Sequence, residues 1–580
     1  MSNRVQTRRA LAALLVLLMI VVSGCGANPA NPTPIATATP ASPTPVATAT
    51  PAAAALDPFE PYKDTLVMTY AKGINPTEKY GEGESPENNQ YTRNAKDVLN
   101  IDAQTYWQAA EGPDYDQKVN LSIASNDLPD AMVVNATQLR QMVKADQLAD
   151  LKAVYDTYTV PAVKYMMDTS NGAAQSAVTF NGKMMAIPSL NVPENDYSLM
   201  WIRKDWLDKL GLAVPKTLDE LETVAKAFIE KDPDGNGKND TIGIAGPGNG
   251  GLLTAHFLDA SNINFGLDPL FSALHSYPGF WLKGTDGKII YGSILPETKT
   301  VLARIVNLYS KGILDKQIAI RKDTSELVVS GTTGIYFGAW WSGYWPLPDA
   351  IKNNPKANWQ AYSLYDDQGK ANFHRGTPCN DFVVVRKGYA HPEAAIKIIG
   401  LNNRDAGKAN LNISGAGNEV LRLPLAAFDE GEFEGKAISG FLAGTKTLAD
   451  YTDQEYAIYK LMKADLSAVK TVKLEPFDQL DIQFWNTSDP NFPRLYSLMV
   501  GNHPIYDKVA DQNLVYSALY SQTKSMETKW ANLKKMEDET FLRIITGASP
   551  IDSFDQFVLD WKAQGGDQIT AEVETEAAMQ

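Results

Sequence analysis

An uncharged, proline-rich tract near the N-terminus sets where a folded core can begin. Residues 26–55 carry seven prolines among many Thr and Ala residues and contain no charged side chain. Such a segment cannot form a core and favours an extended, semi-rigid chain. At roughly 3 Å per residue it spans up to about 90 Å. We therefore expect a tether over residues 25–56 and a globular region that begins near Asp57.

The segment before the tether is typical of a secretion signal. Three arginines lie within the first nine residues, and an unbroken apolar run follows from Ala10 to Val22. That run is too short for a convincing membrane span. The next residues, Ser23-Gly24-Cys25, resemble a bacterial lipobox, which implies cleavage of residues 1–24 and lipid attachment to the Cys25 thiol. The alternative is an ordinary signal peptide with a chance cysteine.

Charge and cysteine content narrow the possible functions. The formal net charge is −15, and the signal segment contributes three positive charges and no negative ones, so the mature chain is more acidic still. Nucleic acid is disfavoured as a partner, because phosphate binding needs clustered positive charge. Cys379 is the one cysteine besides Cys25, so the mature chain has no disulfide. We expect Cys379 to be a buried small residue rather than a nucleophile.

The hydrophobic pattern predicts alternating strands and helices. Strands are expected at Leu66–Tyr70, Ile101–Trp107 and Ala131–Val134, with a helix over Tyr115–Ser125. This alternation indicates an α/β domain with mostly parallel strands. The other predicted elements are an Asn181-Gly182 hairpin, a strand-to-helix segment over Tyr197–Leu210 that Gly211 ends, a helix that Thr217 caps and that runs to Lys231, strands at Lys288–Tyr291, Gly334–Gly338 and Asp381–Val385, a helix over Pro296–Lys311, a helix that Pro392 starts, and a mainly helical region from about residue 440.

Six segments in a fixed order carry a family resemblance. They are LPDAMVV (Leu128–Val134), WIRKDWLDKLGLAVPKTLDELETVAKAF (Trp201–Phe228), KDPDGNGKNDTIG (Lys231–Gly243), DGKIIYGS (Asp286–Ser293), GIYFGAWW (Gly334–Trp341) and DFVVVRKGYAHPEAAIKI (Asp381–Ile398). Each alone is a modest signal. Together, behind a lipobox and a tether, they resemble the extracellular solute-binding proteins of ABC importers, family 1, in the branch of large lipoproteins that bind oligosaccharides.

The resemblance implies a two-lobed α/β fold of the periplasmic-binding-protein type, with ligand held between the lobes and closure about a hinge. Chain crossings between the lobes are expected near Pro188–Asp196, near Gly369–Cys379 and between residues 410 and 440. The implied N-terminal lobe comprises residues 57–190 with 377–425. The implied C-terminal lobe comprises residues 195–370 with 430–580 and includes an additional helical C-terminal part.

The segment Lys231–Gly243 has the ligand spacing of an EF-hand-type calcium loop. With Asp232 as position 1, oxygen ligands stand at positions 1, 3, 5, 7 and 9, and the turn position 6 is a glycine. These ligands are Asp232, Asp234, Asn236, the backbone carbonyl of Lys238 and Asp240. Position 12, where a bidentate Glu is expected, is Gly243. Two interpretations stay open: a structural Ca²⁺ site that stiffens one lobe away from the ligand, and a solvated turn.

The predicted ligand site combines aromatic rings with polar groups. Sugars present apolar C–H faces and hydroxyl rims, which rings and polar side chains match. The aromatic turn, residues 340–345, offers Trp340, Trp341, Tyr344 and Trp345, and the resemblance matches Trp340 to a stacking position. Packing in the core is the alternative for these rings. The other predicted contacts come from strand ends and crossings: Tyr70, Lys72, Asn135, Asn195, Asp196, Asn380 and Asp381.

The resemblance implies a monomeric substrate-binding lipoprotein, anchored outside the bacterial cell membrane, that delivers an oligosaccharide to the transmembrane subunits of an ABC permease. The chain holds no H-E-x-x-H, P-loop or G-x-S-x-G motif, and we expect no catalysis. The alternatives are a secreted polysaccharide-active enzyme and a cell-surface carbohydrate-adhesion module. A peptide or another polar solute is the alternative ligand.

Overall fold

The computed structural model describes residues 56–75, 80–248, 251–258, 264–405, 419–451 and 457–578. The predicted signal segment, Cys25 and the tether lie outside the described residues, as does the beginning of the third predicted crossing. Within the described ranges, every helix is too short or too polar to cross a bilayer.

The described residues form strands and helices in alternation. The strands are β1 Leu66–Ile74, β2 Ile101–Ala110, β3 Ala131–Asn135, β4 Thr179–Phe180, β5 Lys183–Met184, β6 Ile187–Pro188, β7 Leu199–Arg203, β8 Trp281–Lys283, β9 Ile289–Tyr291, β10 Ile335–Gly338, β11 Trp359–Tyr362, β12 Ala371–Arg375, β13 Asp381–Val385 and β14 Gln512–Tyr516. The helices are α1 Gln90–Leu99, α2 Pro113–Ser125, α3 Ala136–Lys144, α4 Lys152–Tyr158, α5 Pro161–Thr169, α6 Ala173–Val178, α7 Lys204–Leu210, α8 Leu218–Lys231, α9 Asp268–Ser272, α10 Pro296–Ser310, α11 Ser325–Ser330, α12 Leu347–Asn353, α13 Glu393–Asp405, α14 Glu430–Leu442, α15 Ala457–Val472, α16 Phe492–Tyr496, α17 His503–Tyr506, α18 Met526–Ile545, α19 Ser553–Trp561 and α20 Asp567–Ala577.

The first sheet has the strand order β2-β1-β3-β13-β6. Strand β1 is parallel to β2 and β3, as the sequence predicts, whereas β13 is antiparallel to β3 and β6. The chain leaves this sheet after β6 and returns at β13, which enters at the edge where β3 ends. Strand direction therefore depends on this distant return, and the prediction of mostly parallel strands is wrong for β13.

The second sheet, β10-β7-β11, is antiparallel throughout, so the parallel prediction is wrong there as well. Its central strand β7 is buried on both faces. Leu199 and Trp201 contribute to the hydrophobic core that also contains the first sheet, whereas Met200 and Ile202 contribute to a second core. The period-2 alternation of side chains along a strand explains this division.

The two sheets take their strands from different parts of the chain. The first sheet takes β1–β3 and β6 from residues 57–190 and β13 from residues 377–425, and the second sheet lies within residues 195–370. In the C-terminal part, Leu466 and Leu495 join the first core, whereas Trp530 and Trp561 join the second. The exact boundaries of the lobes stay a prediction.

Local sequence signals fix several turns and helix ends. Asn181 and Gly182, with φ of 50° and 76°, form the β4–β5 hairpin, because a tight hairpin turn of this kind needs two left-handed residues. Gly211 ends α7 in the left-handed conformation. Thr217 and Glu220 form the predicted capping box of α8. The predictions of these three features are confirmed.

Two predicted helices shift by one residue, and the predictions omit five strands, β6, β8, β11, β12 and β14. Helix α13 begins after Pro392, and α10 ends before Lys311. Residues after 440 are mainly helical, but β14 pairs in parallel with β12. Strand β14 is partly exposed and pairs with residues about 140 positions earlier, so its sequence carries no clear period.

Candidate functional site: a cleft at the edge of the first sheet

The carboxyl ends of β1 and β3 meet the start of β13 at one edge of the first sheet. Asp381 is paired with Asn135 in the sheet register, and Tyr70 and Lys72 lie near the end of the neighbouring strand β1. Asn380 directly precedes β13. In open α/β sheets, ligands bind outside this edge. The structure thus brings together five of the predicted ligand residues.

A cavity of about 550 Å³, the first cavity, opens beside Asn135 and Asn380. Helices α2 and α3 and the second crossing form one wall. Phe257 and residues 520–522 form the other wall, together with Glu527 from α18. Phe257 belongs to the second core, so the two cores face each other across this space.

A second cavity of about 230 Å³ lies beside Tyr70, Lys72 and Asp381. Glu419 and Arg422, which belong to the third predicted crossing, complete its polar lining. Burial raises the pKa of Tyr70 to about 12 and the pKa of Glu419 to about 7, although Arg422 and Lys72 oppose the shift of Glu419. Burial likewise raises the pKa of Asp381.

Asn135 caps helix α3 at this edge of the sheet. Its side-chain oxygen accepts the backbone N–H of Gln138 at 3.0 Å and caps α3, while its Nδ2 donates to Asp116 Oδ1 at 3.3 Å. The Asn-x-x-Gln spacing that forms this capping box is visible in the sequence. Its role as a ligand contact stays a prediction.

The three predicted crossings are hydrogen-bonded to one another. The backbone N–H of Leu190 donates to the Pro424 carbonyl, and that of Asn191 donates to the Pro378 carbonyl, both at 3.0 Å. The backbone N–H of Gly431 donates to Glu194 Oε1 at 2.7 Å. The first crossing therefore contacts both later ones, and their action as a hinge stays a prediction.

Asp196 is buried within this hinge. Its carboxylate lies 3.3 Å from Arg375 Nε, and the neighbouring Tyr197 ring packs on Phe373 with centroids 4.5 Å apart. These contacts join the first crossing to β12. The ion pair explains why an acid stands at this position, and a contact between Asp196 and ligand stays a prediction.

The aromatic turn begins next to the first crossing. Trp340 Nε1 donates to Asn195 Oδ1 at 3.1 Å, so two predicted site residues meet. Trp340 and Trp341 are half-buried, whereas Tyr344 and Trp345 are exposed by 46% and 43%. The Trp345 ring also contacts Phe265 edge-on, with centroids 5.9 Å apart. The turn thus keeps ring surface available beside the hinge.

Burial perturbs the Glu194 carboxyl in the first crossing. Burial raises the pKa of Glu194 from 4.5 to about 7, against hydrogen bonds from backbone N–H groups and the charge of Arg375, and with repulsion from Asp196. A carboxyl whose pKa is raised on folding costs stability when it ionises. We therefore expect the free energy of unfolding to fall as pH rises from about 4.5 to about 7, by on the order of 2–3 kcal/mol.

Urea unfolding of wild type and Glu194→Gln at pH 5 and pH 7.5 tests this prediction. The Gln side chain keeps an acceptor for Gly431 but cannot ionise, so its pH slope should be smaller. Glu230→Gln, on an exposed site of α8, should keep the wild-type slope. Equal slopes in all three proteins would contradict the assignment.

Hydrogen bonds within the loop Asp232–Asp240 join its acidic and amide side chains to one another and to the backbone. Asp232 accepts the N–H of Gly237 at 2.9 Å, and Asn236 Nδ2 donates to Asp234 at 2.8 Å and to Asp240 at 3.0 Å. Gly237 is left-handed, with φ of 72°. A hydrogen bond between the carboxyls of Asp232 and Asp234 lowers the pKa of Asp232.

The donor set of this loop fits a hard cation. Its three acids and its amide carry the kind of oxygen donors that such an ion takes, and the Thr241 hydroxyl is buried without a hydrogen-bond partner among the described residues. Lys238 can offer only its backbone carbonyl to such an ion. No group of three or more acidic, His or Cys side chains in the described chain stands in a metal-binding arrangement. Calcium binding stays a prediction.

Sequence reasoning misses the wall formed by Phe257, Tyr520, Gln522 and Glu527. These residues lie far from the sheet edge in sequence, and residues beyond 440 read as helical. The backbone N–H of Gln522 donates to Thr137 Oγ1 at 3.3 Å, which brings this wall to α3. Cys379 is buried beside it, and burial raises the pKa of its thiol, so the prediction of a buried small residue is confirmed.

Comparison with known proteins decides the family. The sequence model of the bacterial extracellular solute-binding proteins matches residues 99–401, more than half of the chain. The chain belongs to this family. It is 25% identical over 469 residues to the polygalacturonan/rhamnogalacturonan-binding protein YtcQ of Bacillus subtilis, which covers 79% of this chain and 82% of YtcQ.

A second relative and a solved structure are also similar to this solute-binding protein. The fructooligosaccharide ABC transporter substrate-binding protein FusA of Streptococcus pneumoniae is 30% identical over 237 residues, or 39% of this chain and 42% of FusA. An HMO-binding, ABC-transporter-associated solute-binding protein from Bifidobacterium longum infantis superposes with a TM-score of 0.56 at 16% identity, over 89% of this chain and 99% of that one. The fold is therefore the two-lobed periplasmic-binding-protein-like fold.

Proposed function

We propose that this solute-binding protein is the receptor of an ABC importer for an oligosaccharide. The observation that carries the proposal is the first cavity, a space at the carboxyl edge of the first sheet lined by hydrogen-bonding side chains from both sides of the hinge. YtcQ bears the name of a polygalacturonan/rhamnogalacturonan binder and FusA that of a fructooligosaccharide binder, so the two names support a sugar ligand but differ in its charge. A peptide or another polar solute is the second candidate ligand.

A thermal-shift screen of the mature chain against oligosaccharides tests the proposal. A ligand that binds only the folded state raises the melting temperature by mass action. Small-angle scattering with the best ligand should then show a smaller radius of gyration, as closure of two lobes requires. Products released from the ligand would indicate an enzyme, and binding without compaction would indicate an adhesion module. A response to peptides alone would indicate that the ligand is a peptide rather than an oligosaccharide.

The proposed location is the outer face of the cell membrane, with Cys25 as the lipid-anchored residue. The basic start, the apolar run and the small residues before Cys25 support this, and the uncharged tract behind it suits a tether. Cell fractionation tests it: wild type should be found with the membrane, and Cys25→Ser should not. A monomer, measured by light scattering, is the expected state of the lipid-free chain.

Calcium is proposed as a structural ion of the loop Asp232–Asp240. We expect Ca²⁺ to raise the melting temperature, and at 100 times its Kd the gain in unfolding free energy is about 2.7 kcal/mol. The double variant Asp232→Asn/Asp234→Asn should lose this response, because two charged ligands are replaced. Asp286→Asn, in an exposed turn elsewhere, is the matched control and should keep it. No Ca²⁺ response in wild type would favour the solvated turn.

A further inference from the structure

Carboxamide side chains dominate the polar lining of the first cavity. Six of them face it: Asn120, Asn135, Gln138, Gln141, Asn380 and Gln522. Each carboxamide carries both donors and an acceptor, as sugar hydroxyls do. Asn135 and Gln138 already hydrogen-bond in the capping box of α3 and to Asp116, and the remaining carboxamides can meet a hydroxyl-rich ligand in either hydrogen-bonding direction.

The charges that line the first cavity are negative. Asp116 and Glu527 are its ionisable carboxylates, and none of its described lining residues is Lys or Arg. Asp116 is held at the edge by the Asn135 amide, at 3.3 Å. Glu527 pairs with Lys524 at 2.7 Å, but that lysine is 85% exposed, so water and salt screen its charge.

The two cations of the second cavity already have carboxylate neighbours. Lys72 is buried, its ammonium lies 3.4 Å from the Glu419 backbone carbonyl, and its charge opposes the pKa shift of the Glu419 carboxyl. Arg422 acts in the same way on Glu419 and on Asp381. With Glu111, this cavity has three acids for two bases. Among the described residues, the first cavity thus presents two carboxylates and no base, and the second presents three acids beside its two bases.

We propose that the cleft of this protein selects uncharged oligosaccharides and discriminates against those built from uronic acids, with Glu527 as a specificity-determining residue. This inference rests on the proposed function and narrows its ligand class. A uronate oligomer brings one carboxylate per sugar into a space that carries carboxylates of its own, and the like charges repel. A neutral oligomer can hydrogen-bond to the same carboxamides without this electrostatic repulsion.

Matched pairs of sugars test the selectivity. Oligomers of one length from the glucose, mannose and galactose series are compared with their glucuronate, mannuronate and galacturonate counterparts by calorimetry with the mature chain. Binding by a neutral series, with its uronate counterpart at least tenfold weaker at 20 mM salt, is the expected result. Equal or tighter binding of uronates would overturn the inference and leave the oligosaccharide proposal intact. No binding in any series would remove both.

Charge reversal at Glu527 separates electrostatics from shape. In Glu527→Lys, the ratio of uronate to neutral affinity should rise roughly fivefold at low salt and less at 500 mM salt. Glu539→Lys makes the same change on the exposed side of the same helix, and twelve residues place it about 18 Å away. It should leave the ratio unchanged. An equal ratio in wild type and both variants would overturn the role of Glu527.

Discussion

Replacing Trp340 by alanine is expected to weaken oligosaccharide binding by roughly 30-fold or more, the usual effect of removing an aromatic anchor from a binding site. The ring is half-buried at the hinge and its Nε1 is fixed on Asn195 at 3.1 Å. A sugar that stacks on it gains contact with little loss of side-chain freedom, because the ring is already held. Calorimetry with the ligand from the thermal-shift screen measures the loss.

Two further variants make the Trp340 prediction specific. Trp340→Phe keeps a ring but loses the Nε1 donor, so its affinity should lie between those of wild type and Trp340→Ala. Tyr106→Ala removes an exposed ring on the far strand β2 and should not change affinity. Melting temperatures show whether each variant is folded. A folded Trp340→Ala with wild-type affinity would contradict the stacking role and leave the ring a packing residue.

The sequence predicts those features whose cause is local. The Thr217 capping box and the Asn181-Gly182 hairpin depend on a few adjacent residues, and both are present. The direction of β13 and the antiparallel second sheet depend instead on where the chain returns after a long excursion. No pattern of neighbouring residues predicts where the chain re-enters the sheet. The parallel arrangement could therefore be predicted only for β1–β3, which follow one another along the chain.

The same distinction holds for the site. Asn135 and Asp381 stand at strand ends and Tyr70 lies within β1 near the same edge, so this edge could be predicted once β1, β3 and β13 were placed. The opposite wall could not, because Phe257 and Glu527 come from segments with no link to that edge in sequence. Tertiary packing of both cores creates this wall. The charge of the cavity, and with it the ligand class, becomes visible only when both walls are known.

Gly501→Ala is expected to lower stability strongly and to disturb the ligand site at the same time. Gly501 ends the Ser497–Gly501 turn, and an added Cβ would stand 2.0 Å from the Trp340 carbonyl oxygen. At Gly343, on the other side of the same contact, a Cβ would stand 2.3 Å from Ser497 Oγ, 2.8 Å from the Pro493 carbonyl oxygen and 2.9 Å from the Ser497 backbone nitrogen. Backbone meets backbone at both positions, so no side-chain rotation relieves the overlap.

We expect Gly501→Ala to reduce the free energy of unfolding by roughly 2–4 kcal/mol, the cost of forcing packed backbone apart. Urea unfolding measures this change, and calorimetry should show weaker ligand binding, because the aromatic turn must move away. Gly81→Ala is the matched control: its nearest neighbour is Glu84 Cγ at 4.0 Å, so it should change stability by less than about 0.5 kcal/mol. Loss of stability with unchanged affinity would show that Trp340 keeps its position and that the ligand does not depend on this contact. Wild-type stability and affinity together would contradict the close packing of the aromatic turn on the Ser497–Gly501 turn.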